Sequence, residues 1–262
     1  MGRIFAIGDI HGCLDKLRKL LALIDADWAQ DTVVFMGDYI DRGPASKEVV
    51  DTVLDLRRKH ERVVCLMGNH ERMFLNWLDG REEDLFLANG GRNTLRSYGI
   101  VPDDSDREAK VPADHLEFFR SLLPFYETET HLFVHAGVRP GLPMEIQDPH
   151  DMIWIRHEFF LADHGLNKTV VFGHTPFTGK PYVGEKRIGI DTGAVYGGPL
   201  TAIRLPDDGT GALPLLLWST SGAGGGAPSR RRLPWTVRAL PWATVSTAPA
   251  MTVRLKHCAG AE

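Results

Sequence analysis

The chain has 262 residues, of which 43% are hydrophobic and 24% charged, a composition typical of a globular protein with a sizeable core. The net charge of −4 is uneven, since residues 219–262 carry six basic side chains and one acidic one, and the acidic remainder does not favour nucleic-acid binding. No stretch approaches the roughly 18 apolar residues of a membrane span, the N-terminus does not resemble a signal peptide, and three scattered cysteines argue against a disulfide framework, so we expect a cytoplasmic protein.

Strands and helices are predicted to alternate in the first third of the chain. Apolar runs at 3–8, 32–37 and 62–68 predict three strands. Between them, apolar residues at helical spacing over 14–24 predict one helix, and a second helix begins near Ser46, which we expect to be its N-cap. This order of elements indicates an α/β fold.

The rest of the chain divides into an insert, a second group of strands and a tail. Residues 72–120 are mostly helical in pattern and predict an insert beside the site, within a catalytic domain over 1–218. Further strands are predicted at 131–135, 169–174, 187–191 and 200–205. Residues 219–262 are a basic, Gly/Pro-rich tail without periodicity, for which we expect disorder. This tail is interpreted as a dispensable extension, with recruitment to an acidic partner or an anionic membrane surface as the alternative.

Polar motifs follow five of the predicted strands, at the point where each strand ends. They read GDIHG (8–12), GDYIDRG (37–43), GNHE (68–71), HAG (135–137) and GHTP (173–176). Each motif alone is compatible with a structural turn. Because sites in open α/β sheets form at the carboxyl ends of the strands, we expect all five to converge.

The converging motifs supply a mixed nitrogen and oxygen set of metal ligands. The candidates are Asp9, His11, Asp38, Asn69, His135 and His174. Six ligands exceed the four of a tetrahedral zinc ion and suit two ions that share a bridging carboxylate.

In this order the five motifs resemble the calcineurin-like metallophosphoesterases, and more narrowly the phosphoprotein phosphatase branch in its bacterial and phage forms. The resemblance spans residues 3 to about 205, and GDYIDRG followed by GNHE is its most specific part. It implies a mixed β-sandwich flanked by helices, with a dinuclear metal site at the strand ends. The implied cofactors are two divalent ions, with Mn²⁺ favoured and Fe, Zn or Co as alternatives.

The resemblance also implies a role for each motif residue. Asp9, His11 and Asp38 would hold the first metal ion, and Asp38 would bridge to a second ion held by Asn69, His135 and His174. His70 would be the general acid, with Asp41 fixing its tautomer and raising its pKa. Arg42 and Arg156 would bind the phosphate, with Arg139 as the alternative to Arg156. Asn69 and Tyr196 would lie near the substrate. Apart from the resemblance, Glu71 is expected to begin the following helix, where an acid near the N-terminus is favourable, or to brace the loop.

The function implied is metal-dependent hydrolysis of a phosphomonoester, with a metal-bridging hydroxide attacking phosphorus in line. The favoured substrate is a phosphorylated protein or peptide, as for a Ser/Thr phosphoprotein phosphatase. The alternative is a symmetrical bis(5'-nucleosyl)-tetraphosphatase acting on diadenosine tetraphosphate, and the DRG of GDYIDRG favours the phosphatase. An inert scaffold is a third interpretation, which the complete ligand set disfavours.

Overall fold

The computed structural model describes residues 2–177 and 179–205, together with the backbone of two strands beyond them. The strands are β1 Ile4–Ile7, β2 Thr32–Phe35, β3 Val63–Cys65, β4 Phe125–Glu127, β5 His131–Val134, β6 Thr169–Phe172, β7 Tyr182–Gly184, β8 Arg187–Gly189, β9 Leu200–Leu205, β10 Leu215–Ser219 and β11 Ser229–Arg232. The helices are α1 Leu14–Leu21, α2 Ser46–Lys59, α3 Asn69–Leu78, α4 Glu83–Phe86, α5 Arg92–Tyr98, α6 Ala113–Arg120, α7 Pro149–Trp154 and α8 His157–Leu161. A π-helical turn, Leu87–Gly91, joins α4 to α5.

Two mixed sheets form the centre of the fold. The six-stranded sheet has the order β11-β10-β9-β1-β2-β3, with β1, β2 and β3 parallel. The five-stranded sheet has the order β4-β5-β6-β8-β7, with β5, β6 and β8 parallel. Each sheet thus contains three parallel strands, and the loops that follow their carboxyl ends can meet at one edge of the sheet.

The alternation of side chains along each strand explains how the sheets pack. Ile4 and Ala6 of β1 face the second sheet, in a core that also contains Phe133 and Val171. Phe5 and Ile7 point the other way, into a larger core with the helices. Because both faces are buried, the strand sequences are continuous apolar runs.

Helices cover the outer face of each sheet. α1, α2, α3 and α6 contribute apolar side chains to the larger core on the first sheet. On the second sheet, Met152 of α7 and Phe159 of α8 pack against Leu132 and Val134 of β5. The predicted α/β class and the sandwich flanked by helices are confirmed. Among the described residues, no helix is both long and apolar enough to cross a membrane.

Two local features differ from the sequence-based expectations. The N-cap of α2 is Ala45, and Ser46 is instead the first helical residue, fully buried. In the predicted disordered tail, Ser229–Arg232 forms β11 and pairs with β10, which ends at Ser219. The tail residues 220–228 and 233–262 lie outside the described part of the chain.

Candidate active site

The carboxyl ends of the parallel strands in both sheets meet at one edge of the sandwich. Hydrogen bonds join the two sheets there, from the His135 ring (Nδ1) to the Met36 carbonyl at 2.8 Å and from the His174 backbone N–H to Asp9 Oδ2 at 2.9 Å. The six predicted metal ligands are all buried at this edge. A side chain on Gly173 would collide with the Asp9 carboxylate, so glycine is required where these loops cross.

Backbone strain is concentrated at the same edge. Seven described residues other than glycine have positive φ, and five of them are predicted site residues: His11, Asp38, Asp41, Arg42 and His174. Such conformations cost about 1–3 kcal/mol each and persist where the surrounding structure imposes them. The loops are therefore shaped for side-chain placement at the expense of local stability.

Asp38 lies at the centre of the candidate metal ligands. Donor atoms of His11, Asp38 and His70 lie within 4.8 Å of one another, and so do those of Asp38, His135 and His174. Asp38 Oδ2 is 3.4 Å from His11 Nε2, and its Oδ1 is 3.4 Å from His135 Nε2. Each carboxylate oxygen thus faces a different group, which fits the bridging position predicted for this residue.

The first group contains His70 in the place predicted for Asp9. Asp9 lies against the same site. Its carboxylate is close enough to Asp38 for the two charges to repel each other, and it accepts the His174 N–H. Burial and the charges of Asp191 and Asp38 raise the pKa of Asp9 well above its ordinary range. A cation beside Asp9 would relieve this repulsion, so its assignment as a ligand remains a prediction consistent with the geometry.

The histidine rings are oriented for metal binding. His11 donates from Nδ1 to the Ile40 carbonyl at 2.8 Å, as His135 does to Met36, so each ring presents the lone pair of Nε2 to the site. Burial lowers the pKa of His11 to about 3 and also lowers the pKa of His135 and His174. The neutral rings that result are the form that binds metal.

Unpaired polar atoms provide a test of whether metal ions fit here. Asp9 Oδ1 and His174 Nε2 are buried without a hydrogen-bond partner among the described residues. The His135 Nε2 lone pair faces Asn69 Oδ1 at 3.0 Å, and that oxygen is also 2.9 Å from His174 Nδ1. Buried lone pairs that face one another are costly, and a bound cation satisfies them. The residues present therefore fit divalent metal ions.

His70 and Asp41 form a buried pair beside the metal ligands. His70 Nδ1 lies 2.6 Å from Asp41 Oδ2, and both residues are fully buried. With Nδ1 engaged, Nε2 faces the site without a hydrogen-bond partner among the described residues. Burial lowers the pKa of His70 to about 4, opposite to the expected rise, because desolvation of the ring outweighs the charge of Asp38.

Glu71 braces the loops that carry the ligands. It is the third residue of α3 and fully buried, and its carboxylate accepts the backbone N–H groups of Asp38, Tyr39, Ile40 and Gly68 at 2.8–3.3 Å. The expectation that Glu71 lies in the first turn of a helix is confirmed. Its contacts also link the GDYIDRG and GNHE motifs to each other.

Two of the three candidate phosphate-binding arginines reach the site. Arg42 Nη1 lies 2.5 Å from His11 Nε2. Arg156 lies beside Thr175, with Nη1 3.5 Å from Oγ1. Its guanidinium is attracted by the charges of Asp38, Asp191 and Asp9. Arg139 instead pairs with Asp151 through Nε and Nη2, at 2.6 and 2.9 Å.

Tyr196 lies on the rim beside Arg42. The residue is 66% exposed, and the Arg42 guanidinium carbon lies 5.7 Å from the centroid of its ring. The loop that carries it is anchored by the buried Lys16 of α1, whose ammonium donates to the carbonyls of Ala194 and Gly198 at 2.5 and 2.6 Å. The tyrosine is therefore presented on a fixed loop and free to contact a substrate.

Three further polar residues support the site and were not identified from the sequence. Asp191 follows β8 as the motif residues follow their strands, and its strand-end position was the available signal. Burial raises the pKa of Asp191 to about 6. Ser46 and Thr94 contact Asp41, and no local pattern links Thr94 to a residue so distant in sequence.

Comparison with protein families gives a match over most of the chain. Residues 2–203 match the family described as calcineurin-like phosphoesterase. The chain is 31% identical over 212 residues to serine/threonine-protein phosphatase 1 of Salmonella typhimurium, which covers 77% of this chain and 91% of that protein. It is 27% identical over 231 residues to the asymmetrical bis(5'-nucleosyl)-tetraphosphatase PrpE of Bacillus thuringiensis, covering 79% of this chain and 92% of the relative.

Solved structures show the same fold. A cold-active protein-tyrosine phosphatase of Shewanella superposes with a TM-score of 0.56 at 20% identity, over 79% of this chain and 78% of that one. A protein serine/threonine phosphatase of Saccharomyces cerevisiae superposes with a TM-score of 0.58 at 17% identity, over 78% and 72%. At these identities the likeness concerns the fold alone.

Proposed function

Because the chain belongs to the calcineurin-like phosphoesterase family and is a metallophosphoesterase, we propose that it is a phosphoprotein phosphatase acting on phosphoserine and phosphothreonine. The observation that carries the proposal is the pair of ligand groups that share Asp38, one of which contains His70 paired with Asp41. The similarity to a Salmonella Ser/Thr phosphatase supports this substrate class. The exposed Tyr196 and Arg156 at the rim suit an extended substrate such as a peptide.

The family is dimetal-dependent, and we propose that Asp9, His11 and Asp38 hold one ion and Asn69, His135 and His174 the other, with Asp38 shared. When bound, the ions supply an activated water nucleophile at neutral pH and neutralise charge on the phosphoryl group. We propose Mn²⁺ for both positions, because a mixed carboxylate, amide and imidazole set accepts this ion.

The protein's own side chains bind the phosphoryl group and transfer a proton to the leaving group. Arg42 and Arg156 each offer a planar fork of donors to phosphoryl oxygens, and these charge-assisted bonds strengthen as negative charge develops. His70 is the proton donor: its Nε2 faces the site and, once protonated, delivers a proton to the departing serine or threonine oxygen. Asp41 fixes the ring by its bond to Nδ1, so Nε2 stays directed at the site.

A second candidate function is hydrolysis of a dinucleoside tetraphosphate, favoured by the similarity to PrpE. That relative is named asymmetrical, whereas the sequence-based alternative was a symmetrical enzyme. An asymmetrical cleavage of diadenosine tetraphosphate releases ATP and AMP, and a symmetrical one releases two ADP. The products thus separate the two versions of this alternative.

The deciding experiment compares kcat/KM for a phosphothreonine peptide and for diadenosine tetraphosphate with one Mn²⁺-loaded preparation. We expect the peptide to be the better substrate by at least about tenfold, a difference equal to roughly 1.4 kcal/mol of transition-state stabilisation. The Asp38→Asn protein is the control for contaminating phosphatases. A preference for the dinucleotide would refute the phosphoprotein assignment and, through its products, identify the cleavage position.

A further inference from the structure

One side chain of α5, in the helical insert, contacts Asp41 of the buried His70–Asp41 pair. Thr94 is fully buried, and its hydroxyl donates to Asp41 Oδ1 at 2.6 Å. The Thr94 hydroxyl oxygen also accepts the backbone N–H of Asp41 at 2.9 Å and lies 3.0 Å from Ser46 Oγ. Thr94 therefore binds both the carboxylate and the main chain of Asp41.

These bonds fix the plane of the Asp41 carboxylate. Oδ2 is engaged by His70 Nδ1 at 2.6 Å and Oδ1 by Thr94, so each oxygen has a partner on its own side. Asp41 is fully buried, so an Oδ1 that lost this donor would have no water to replace it. Its φ of 71° is also a strained conformation, which the N–H bonds to Thr94 and Ser46 help to hold.

The segment just before Thr94 fixes the neighbouring arginine as well. The Arg42 N–H donates to the Gly90 carbonyl at 3.2 Å, and the Asn93 amide donates to the Arg42 carbonyl. Gly90 has a φ of 99°, and a Cβ there would lie 2.8 Å from the Arg42 nitrogen, so only glycine permits this approach. The insert thus holds two consecutive residues of the GDYIDRG motif.

We propose that Thr94 is a positioning residue for proton transfer, which acts through Asp41 to hold His70 toward the leaving group. This inference rests on the proposed phosphoester hydrolysis. Loss of the Thr94 hydroxyl lets the Asp41 carboxylate turn and releases the His70 ring, so the hydrolysis step that requires a proton is impaired. Binding of the phosphoryl group by the arginines is unaffected by this change.

The test uses Thr94→Val, which keeps the shape of the side chain and removes its hydroxyl. For the Mn²⁺-loaded full-length protein, we expect kcat/KM to fall about tenfold for a phosphoserine peptide and less than about threefold for p-nitrophenyl phosphate, whose leaving group needs no proton. Thr94→Ser should restore the wild-type ratio of the two values. Ser97→Ala is the matched control, because Ser97 lies on the same helix and bonds to the Lys47 N–H and the Thr94 carbonyl, but among the described contacts it makes no hydrogen bond to Asp41. Equal losses on both substrates would overturn the inference.

A second readout does not depend on catalysis. In the metal-free protein, the proton on His70 Nδ1 should give a downfield NMR resonance, since it lies in a short buried hydrogen bond. We expect Thr94→Val to shift or broaden this resonance and Ser97→Ala to leave it in place. An unmoved resonance in Thr94→Val would overturn the inference. A wild-type protein inactive on both phosphoesters would instead refute the proposed function, and the resonance would still report on the hydrogen-bond chain.

Discussion

The four backbone N–H groups that converge on Glu71 make its carboxylate a measurable contributor to stability. Glu71→Gln replaces one side-chain oxygen by an NH₂ group. The four N–H donors belong to Asp38, Tyr39, Ile40 and Gly68, and the NH₂ group leaves two of them without an acceptor. Each buried donor that loses its acceptor costs about 1–3 kcal/mol. We therefore expect the free energy of unfolding to fall by about 3 kcal/mol, and the melting temperature by roughly 6–12 °C.

Urea denaturation of the metal-free protein measures this change, with an unchanged m-value showing that the transition itself is the same. Glu48→Gln is the matched control, because Glu48 is also the third residue of its helix but is exposed. That substitution loses the same interaction with the helix dipole and should cost less than about 0.5 kcal/mol. A Glu71→Gln protein as stable as the control would refute the bracing role.

Four further substitutions test the remaining assignments. His70→Asn should retain bound metal and lose about 10²–10⁴-fold in kcat on a phosphoserine peptide but much less on p-nitrophenyl phosphate, and equal losses would contradict the acid role. Asp38→Asn should lose metal and activity together, measured as Mn²⁺ per chain by atomic emission, and two ions at full occupancy would contradict the bridging assignment. Arg156→Lys should raise KM for the peptide about tenfold, because an ammonium lacks the bidentate fork, and unchanged kinetics would remove Arg156 from the substrate site. Lys16→Met should raise KM for the peptide about threefold with little change in kcat, because the Tyr196 loop loses its anchor; a wild-type KM would show that the loop does not contact the substrate.

Most of the site could be located from the sequence because its residues occupy local, repeated positions. Each candidate ligand lies one to four residues beyond the end of a strand, and parallel strands place their carboxyl ends together whatever the details of packing. The convergence of Asp9, Asp38 and His174 therefore follows from three short motifs and the order of the strands. The fold class follows from the same alternation of apolar runs and helical spacing.

What the sequence could not supply are contacts made between distant segments. Thr94 lies 53 residues from Asp41, and nothing in its own neighbourhood distinguishes it from other threonines. Ser46 was expected to cap α2 because it precedes an apolar helical pattern, but its hydroxyl lies against Asp41 and Thr94 instead. Tertiary hydrogen bonds here override a local preference.

The pKa of His70 illustrates a second limit. A carboxylate partner is visible in the motif as Asp41, and its charge alone would raise the pKa of the ring. Burial is invisible in the motif, and it lowers the pKa to about 4. The sign of the shift depends on the packing around the pair, which only the folded structure supplies.

We propose that two metal ions sharing Asp38 support hydrolysis of a phosphomonoester. The most direct measurement titrates the metal-free protein with Mn²⁺ and follows both bound metal and phosphate release from a phosphothreonine peptide. We expect activity to appear as the second ion binds and to reach its maximum at two ions per chain. Full activity at one ion per chain, or in the metal-free protein, would contradict it.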